Sequence, residues 1–505
     1  MTSFMSLHGL SFLIGLPVVG GLFLLFMRDP DRARTIALFF SLLIFGFSLY
    51  LLVSFDPQVP GMQFHEVAPW IPLWNINYAV GVDGISILFI LLTTGLSTIA
   101  LASSWHAIRD RVPAFLSMLL FAEGGLIGVF SALDLFLFYF FWEAMLIPFF
   151  LLIVWWGGVD RFQAGIRFFL FNLGSSALLL VGIIAVYGAA GETFDMSLLI
   201  QHSFSRSFQL WVFPAFFIPC AVRMSLFPFH AWQLDATYQM PDPASILSVG
   251  VLAPLGAYVF LRLLLPCFPD ATKIFSTGIM LLSLVGLLYC GWIAFAQTDM
   301  KKMISFLALI HISFITMGFF SLTRSGIEGA VFQTISVGMV IGILLFAVGI
   351  MQNRLSSTVI ADYGGMAGQV PFSAAFFLIA ILSFIGLPGT NGFVGIFITV
   401  FGLFERSQCL GTICCIGLLL AGWCGIRFFQ NVMLGPGNPR KIHDLDAREI
   451  SVAVPGVLVC IALGMYPKMF LDLMHAPLSL LMHQMQMKIQ AFPGIATMLA
   501  ALVGN

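Results

Sequence analysis

Charged residues are scarce in this chain. They make up 9% of its 505 residues, whereas soluble domains carry roughly 25%. Hydrophobic residues make up 60%, and the mean hydropathy is +1.02. The 22 basic and 23 acidic side chains nearly cancel, which excludes both a basic surface for nucleic acid and an acidic tail. With so little polar surface the chain cannot be a water-soluble globule, and the class that remains is a polytopic membrane protein.

Cysteine is also sparse, and its pattern is uninformative for cofactors. The eight cysteines form no C-x-x-C pair, which argues against an iron–sulfur cluster, structural zinc or a disulfide framework. The sequence has no G-x-G-x-x-G after a strand, no phosphate-binding loop and no nucleophile elbow. We therefore expect no flavin, nicotinamide or haem site in this chain, and we expect any associated redox step to take place in a partner protein.

Long apolar runs dominate what is present. A membrane span needs about 20 mostly apolar residues, and about fourteen such runs predict an all-α membrane protein. They lie near residues 9–27, 35–54, 84–105, 113–131, 133–156, 165–190, 209–226, 245–266, 274–296, 303–321, 328–352, 370–403, 409–434 and 451–474. A last apolar stretch, 476–505, contains His483, Lys488 and Pro493, and we expect it to be a surface-lying or partner-contacting tail.

Lysine and arginine in the loops predict the orientation, because short cytoplasmic loops are enriched in both. One set of alternate loops holds Arg28, Arg32, Arg34, Arg109, Arg111, Arg161, Arg167, Lys301, Lys302, Arg354, Arg440, Lys441 and Arg448. The other set holds Arg206, Arg262, Lys273, Arg324, Arg406, Lys468 and Lys488. The richer set is expected to face the cytoplasm, which places both termini outside in a multi-pass protein of the cell inner (plasma) membrane.

Two spans are interrupted in the sequence. The seventh runs into Phe227-Pro228-Phe229-His230-Ala231-Trp232, and the twelfth is split by Gly386-Leu387-Pro388-Gly389-Thr390-Asn391-Gly392. Broken helices at corresponding positions of two halves are typical of transporters. Because the breaks lie five spans apart, we expect two inverted five-helix repeats, 113–266 and 267–435, between N-terminal helices at 1–112 and a last helix and tail at 436–505.

Five ionisable residues lie where the membrane interior is expected. Insertion scales put the cost of a charged side chain there at about 2.5–3.5 kcal/mol. Glu143 and Arg223 on two different spans could pair across helices, and Glu123, His230 and His311 are further candidates. A proton relay or charge coupling through these groups is one interpretation. The alternatives are a structural ion pair, a packing histidine at 311 and a helix cap at 230.

Several motifs resemble one family over nearly the whole chain and in the right order. The sequence is similar to the M-type, antiporter-like membrane subunits of NADH–quinone oxidoreductase (complex I). The matching pieces are Gly81-Val82-Asp83-Gly84-Ile85-Ser86, Phe141-Trp142-Glu143, Leu146-Ile147-Pro148, the group Pro228, His230, Trp232, Asp235 and Ala236, Gly256-Ala257-Tyr258, Gln297-Thr298-Asp299-Met300-Lys301-Lys302-Met303-Ile304, Gly386-Leu387-Pro388-Gly389-Thr390 and Gly464-Met465-Tyr466-Pro467.

The resemblance implies fourteen helices and a proton-carrying chain of Glu, Lys and His residues at mid-membrane. Glu143 matches the family glutamate and His311 a family histidine, whereas Arg223 stands where the family has lysine. Four further positions depart: the family lysine, histidine, glutamate and second histidine are Pro254, Val337, Ile396 and Thr237. We expect Pro254 to break the eighth helix unless neighbours satisfy its backbone, and Arg427 to compensate in part for the lost charges.

The implied function is that of a membrane-arm, non-redox subunit of a proton-translocating NADH–quinone oxidoreductase. NAD, FMN, Fe–S clusters and quinone are then expected in partner subunits. One alternative is a subunit of a multisubunit cation/proton antiporter or of an ion- or inorganic-carbon-uptake complex. Another is a structural paralogue that does not pump, which the losses at Pro254, Val337 and Ile396 favour.

Overall fold

Fourteen membrane-crossing helical units make up most of the protein. The computed structural model describes residues 2–59, 61–435 and 442–491. We number the units span 1 to span 14 in chain order. They are Thr2–Leu25, Pro30–Ser54, Gly84–Ala107, Val112–Ser131, Leu135–Ala144 with Leu146–Trp156, Arg161–Ala189, Arg206–Met224 with Ala231–Gln239, Asp242–Cys267, Pro269–Phe295, Met300–Phe320, Arg324–Leu355, Pro371–Phe384 with Asn391–Arg406, Gln408–Met433 and Ala447–Met465. Thirteen are long and apolar enough to cross a membrane by length and composition, and span 12 does so only as two half-helices, which confirms the predicted all-α fold.

The spans begin where the sequence supplies caps. Side chains of Asp29, Asp83 and Asp299 accept backbone N–H bonds at the starts of spans 2, 3 and 10. Asp446 and Glu449 form a reciprocal capping box at the start of span 14. Each cap satisfies N–H groups that a helix leaves unpaired at its first turn, so the boundaries follow from local sequence.

Burial differs sharply between spans, and this locates the protein's interior. In the apolar stretch of spans 8 and 10, 100% of the residues are buried inside the protein. In the apolar stretches of spans 2 and 14, only 33% and 22% are buried. Spans 8, 10 and 11 therefore form the centre, and the outer spans present apolar side chains to lipid or to partner subunits. Polar residues on the central spans face other helices.

Three spans are interrupted. Span 7 stops at Met224, where Ser225 adopts a left-handed conformation, and resumes at Ala231. Span 12 stops at Phe384 and resumes at Asn391. Both interruptions were predicted. Span 5 has an additional interruption at Met145, two residues after Glu143, which the sequence analysis missed although Pro148 signals it by removing a helix N–H.

Spans 4–8 and 9–13 share one local structure on opposite sides of the membrane: a capping aspartate that forms a β-bridge with a segment distant in the chain. We call this structure the joint. Asp134 caps span 5 and bridges to the segment at Asp195, while Asp299 caps span 10 and bridges to Val359. In both joints two antiparallel backbone hydrogen bonds of 2.8 and 2.9 Å tie the cap to the segment that precedes the broken span. Because spans 5 and 10 begin on opposite sides, the repeats are inverted. The residue boundaries of the four predicted segments remain predictions.

Pro254 does not break span 8, contrary to expectation. Span 8 runs from Asp242 to Cys267 with two π-helical turns, Ser248–Leu252 and Phe260–Leu264. The first π-turn widens the helix just before the proline, so its ring and missing N–H are accommodated. The carbonyl oxygen of Gly250 then lies only 2.3 Å from where a Cβ on Gly338 of span 11 would stand, so only glycine fits there.

We call the side on which odd-numbered spans end the basic face, and the other side the opposite face. Arg262 was assigned to an opposite-face loop from sequence. It lies inside span 8, with side-chain exposure of 15%, and its Nη1 is 2.8 Å from Asp83 Oδ2. Without Arg262 in the opposite-face loops, the excess of lysine and arginine in the basic-face loops is larger. Arg440 and Lys441 lie outside the described residues.

Two elements cover the opposite face. A hairpin that was not predicted, β1 (Gln63–Ile71) and β2 (Ile76–Val82), connects spans 2 and 3. The predicted tail is a helix, Lys468–Ala491, that lies against the outer ends of spans 3, 8 and 11 and is not a fifteenth span. Lys488 Nζ donates 2.9 Å bonds to the carbonyls of His202 and Pro266. Residues 492–505, including Pro493, lie outside the described residues.

Candidate functional site

Glu143 and Arg223 are neighbours, but not as a direct ion pair. The Arg223 guanidinium, 1% exposed, lies 4.2 Å from the centre of the Trp142 ring, and its Nη2 donates a 3.4 Å bond to the Trp142 carbonyl. The carboxylate of Glu143 is within electrostatic reach of Arg223 and of Ser176. Glu143 Oε1 and two guanidinium nitrogens have no hydrogen-bond partner among the described residues. The two charges interact electrostatically without a direct hydrogen bond between them.

Glu123 is a second acidic group, completely buried on span 4. Its exposed fraction is 0%, and neither carboxylate oxygen has a hydrogen-bond partner among the described residues. The nearest polar side chain is Ser97 of span 3, whose hydroxyl is likewise unpartnered. A buried charged group without partners is strongly unfavourable, so this site requires either a protonated acid or hydration.

His230 occupies the break of span 7. It precedes the half-helix Ala231–Gln239 and makes no side-chain cap bond, so the capping alternative is not what the geometry shows. Its ring clusters with those of Phe227 and Tyr289, whose centres lie 5.7 and 5.5 Å from it. The next turn carries Gln233, which is 1% exposed and has no partner on either amide atom among the described residues.

His311 lies at the middle of span 10 and connects three spans. Its Nδ1 is 3.2 Å from the amide nitrogen of Gln333 on span 11, and its ring centre is 4.4 Å from that of Phe384 at the break of span 12. It is 1% exposed, and Nε2 has no hydrogen-bond partner among the described residues. His311 is thus held by one amide and has one free ring nitrogen at the second broken helix.

The departures from the family pattern lie in the buried second half. Pro254 is buried in span 8, Val337 is 6% exposed in span 11, and Ile396 packs beside Gly386 at the break of span 12. None can hold a proton. Arg427 does not replace them: it is exposed near the basic end of span 13, with its guanidinium 4.3 Å from the ring centre of Phe295. The expected compensation is therefore wrong.

Neutral polar residues that sequence reasoning passed over continue the line of buried polar groups. They have side-chain atoms without partners among the described residues and lie on spans 7, 8, 11 and 12: Gln233, Thr237, Ser248, Gln333, Ser336 and Asn391. A second missed feature is a buried ion pair, with Lys301 Nζ 3.0 Å from Asp242 Oδ1. Amide side chains within otherwise apolar runs were the sequence signal that could have revealed the neutral polar residues. No local signal pairs Asp242 with Lys301, because they lie on different spans.

Together these groups form a discontinuous polar line through the membrane interior. We use the name polar line for this set, which comprises Glu123 on span 4, Glu143 and Arg223 on spans 5 and 7, the break of span 7, and His311 at the break of span 12. Buried polar atoms without protein partners are generally bound to water, and carboxylates and imidazoles along hydrated paths exchange protons. A many-span membrane protein with two broken helices and such a line is of the ion-translocating class.

Comparison with known proteins identifies the family. Residues 132–421 match the family described as "NADH:quinone oxidoreductase/Mrp antiporter, TM". The chain is 38% identical over 460 residues to NADH-quinone oxidoreductase subunit M of Rhodobacter capsulatus, covering 88% of this chain and 89% of that protein. It is 34% identical over 476 residues to NADH-ubiquinone oxidoreductase chain 4 of Marchantia polymorpha, covering 93% and 96%. The chain belongs to this family.

Solved structures agree with the fold. A chain of the respiratory complex I from Thermus thermophilus with bound NADH superposes with a TM-score of 0.88 at 28% identity, covering 94% of this chain and 99% of that one. A chain of the Mrp complex from Dietzia sp. DQ12-45-1b superposes with a TM-score of 0.82 at 18% identity, covering 94% and 97%. The second likeness shows the fold alone.

Proposed function

We propose that this chain is a membrane-arm subunit of NADH:quinone oxidoreductase and that it couples proton movement to quinone reduction elsewhere in the complex. The relatives named as subunits of that enzyme cover about nine-tenths of the chain. The observation that carries the proton-coupling role is the buried acid Glu123 together with the half-buried Glu143, each with a buried carboxylate oxygen that has no hydrogen-bond partner among the described residues. Pure packing would not favour two such groups, since burying an unpartnered carboxylate costs several kcal/mol.

The first half of the polar line carries the titratable acids, and the second half is nearly neutral. Glu123, Glu143 and Arg223 lie on spans 4, 5 and 7, whereas beyond His311 the buried polar groups are amides and hydroxyls. Arginine keeps its charge and cannot pass a proton on. Arg223 therefore acts as a fixed charge that biases the protonation of Glu143, and protons cross the second half only through water and His311.

The redox groups belong to partner subunits in this proposal. NAD, FMN, Fe–S clusters and quinone would bind there, and this chain would be the non-redox part of the enzyme. Among the described residues no group of three His, Cys, Asp or Glu side chains comes together to hold a metal ion. We further propose that the basic face is cytoplasmic and that both termini lie outside, in the plasma membrane.

The proposed complex is tested by native-gel purification of the tagged chain in mild detergent, stained for NADH oxidation, with co-migrating proteins identified. Co-migration with an NADH-oxidising, quinone-reducing assembly supports the proposal. Co-migration with other membrane proteins and no NADH oxidation would instead indicate a cation/proton antiporter or uptake complex, for which the fold likeness to the Mrp chain is the present support.

The proton role is tested by Glu143→Gln alone and with Glu123→Gln. Loss of a positioned proton carrier slows transfer by about 100-fold or more, so we expect fewer protons pumped per NADH oxidised by inside-out vesicles, with normal assembly. Glu192→Gln, at an exposed turn outside the spans, is the matched control. Undiminished pumping in the double variant would leave the non-pumping structural paralogue as the correct interpretation.

A further inference from the structure

A cavity of about 320 Å³ opens at the basic face between four spans. It is formed by residues 102–107 at the end of span 3, residues 242–243 at the start of span 8, residues 346–354 at the end of span 11 and residues 443–452 leading into span 14. This volume holds on the order of ten water molecules. Charged and imidazole side chains dominate its mouth, so it is suited to water and ions rather than to an apolar ligand.

Ion pairs and backbone contacts hold the mouth of the cavity in place. Arg354 Nη2 lies 2.5 Å from Glu449 Oε2 and donates a 2.9 Å bond to the Asp444 carbonyl. Arg448 donates to the carbonyl of Ala102 at 3.3 Å, which ties span 14 to span 3. These contacts fix the lining segments relative to one another, so the opening is a built feature of the fold.

Asp242 is a buried carboxylate in the lining of the cavity. It is 7% exposed, and Lys301 Nζ lies 3.0 Å from its Oδ1. That oxygen has no hydrogen-bond partner of good geometry among the described residues, and the Lys301 ammonium also donates a 2.5 Å bond to the Met240 carbonyl. The carboxylate is therefore charge-compensated but keeps lone pairs free to bind water from the cavity.

Gly349 of span 11 makes room for this carboxylate. A Cβ added there would lie 2.9 Å from Asp242 Cβ and 3.1 Å from Oδ2. Both distances are shorter than ordinary contacts, so any larger residue would press on Asp242. This part of the cavity lining thus depends on a specific small residue of the facing span.

Three hydroxyl groups lie close to Asp242 in the chain, of which Ser245 donates to backbone carbonyls and the other two have no partner among the described residues. Ser245 and Ser248 follow it on span 8 at three-residue intervals, which places them near one helix face. Ser248 Oγ and Thr237 Oγ1 have no hydrogen-bond partners among the described residues, and Ser245 Oγ approaches the Thr237 carbonyl at 3.4 Å. These groups lead from the cavity toward the break of span 7 without using position 254.

We propose that this cavity is the aqueous entrance for protons from the basic face, and that Asp242, paired with Lys301, is the residue that accepts them. A proton from cavity water binds the Asp242 carboxylate, which becomes neutral and releases the Lys301 ammonium. The proton then passes to water bound at the hydroxyl groups of span 8. This proposal rests on the proposed proton-coupling function and adds an entry path to it.

Several charged groups surround the proposed acceptor and influence its protonation. Lys301 is the nearest, and the Asp242 carboxylate also lies within electrostatic reach of Tyr363. Burial raises the pKa of the Tyr363 hydroxyl, with Asp362, Asp242 and Asp299 adding to the shift. The charged groups of the cavity lining on spans 3 and 11, before span 14 and in its first turn are His106, Arg354, His443, Asp444, Asp446, Arg448 and Glu449.

Asp242→Asn is the first test, measured beside Glu143→Gln in inside-out vesicles as protons pumped per NADH oxidised. We expect Asp242→Asn to lower this ratio as far as Glu143→Gln does, while Asp160→Asn, an exposed control on the same face, leaves it unchanged. A lowered ratio for Glu143→Gln with a normal ratio for Asp242→Asn would overturn the entrance and leave the proposed function standing. Normal ratios for both would refute the two together.

Two further variants test the entrance without removing a charge. Gly349→Ala is expected to lower the same ratio by crowding Asp242, and a normal ratio would count against the path. Ser103→Cys, in the cavity wall, should react with a membrane-impermeant maleimide added to inside-out vesicles. The native Cys409, exposed at the start of span 13 on the opposite face, should stay unlabelled there. Failure of Ser103→Cys to react before denaturation would show that no open cavity exists.

Discussion

The contact between span 14 and the break of span 12 gives a sharp prediction. Gly464 of span 14 lies against the backbone at Gly389 and Thr390, so two separate sequence motifs meet at this point. A Cβ on Gly464 would lie 2.2 Å from the Thr390 carbonyl carbon, 2.4 Å from its Cα and 2.5 Å from the Gly389 carbonyl carbon. Only glycine allows an approach this close.

The cost of Gly464→Ala follows from that geometry. An ordinary contact begins at 3.4 Å, so the two segments would have to separate by about 1.2 Å. Overpacking usually costs about 1–3 kcal/mol. Here all three obstructing atoms belong to backbone, which cannot rotate away, and we expect about 3 kcal/mol or more. The displacement would also move the half-helices of span 12, and with them Phe384 beside His311.

The measurement is the temperature at which the tagged chain leaves the soluble fraction when membranes are heated and then solubilised. Gly46→Ala is the matched control, because nothing lies within 4 Å of a Cβ at Gly46 of span 2. That control should be neutral or up to about 1 kcal/mol more stable through helix propensity. Equal transition temperatures for the two variants would refute the close contact.

Arg223→Met should cost about 2 kcal/mol, the value of a desolvated cation–π contact with Trp142, rather than the about 3–5 kcal/mol of a broken buried ion pair. A coupling energy near 3 kcal/mol in a double-mutant cycle with Glu143→Gln would contradict this. Burial alone would raise the pKa of Asp444, but N–H and hydroxyl donors at the start of span 12 hold it below its usual range. Its stabilisation is therefore complete above about pH 4 and is lost as pH falls through that lowered pKa. Asp444→Asn should speed deuterium exchange in the first turn of span 12 about tenfold at neutral pH, and equal rates would exclude the cap. Lys488→Met removes a donor to two backbone carbonyls and should increase exchange across Lys468–Ala491 while the spans stay protected; unchanged exchange would show that this anchor contributes nothing.

Periodic and compositional features of the sequence predicted the fold well. Apolar run length fixed the number of spans, and Pro and Gly clusters located the breaks at 225–230 and 385–390, because these signals are local to the chain. The hairpin before span 3 was missed, since its alternation is weak and it follows a long apolar helix. The π-turn before Pro254 was missed because it depends on packing against Gly338.

The candidate site was only partly predictable. The sequence singled out Glu123, Glu143, Arg223, His230 and His311 because a charge or imidazole in an apolar run is conspicuous. It could not decide how they pair. The Arg223 guanidinium stacks on Trp142 rather than bonding to Glu143, and this arrangement depends on how spans 5 and 7 pack together.

The sequence by itself determined the membrane class, the fourteen crossings and the interruptions of spans 7 and 12, because each follows from hydrophobicity and backbone chemistry within one segment. Only the tertiary structure decided which polar groups meet. Asp242 pairs with Lys301 across two spans, Gly349 makes room for that carboxylate, and Arg427 turns away from the polar line. These outcomes depend on how helices distant in the chain pack, and no pattern within a single helix encodes the identity of its neighbour.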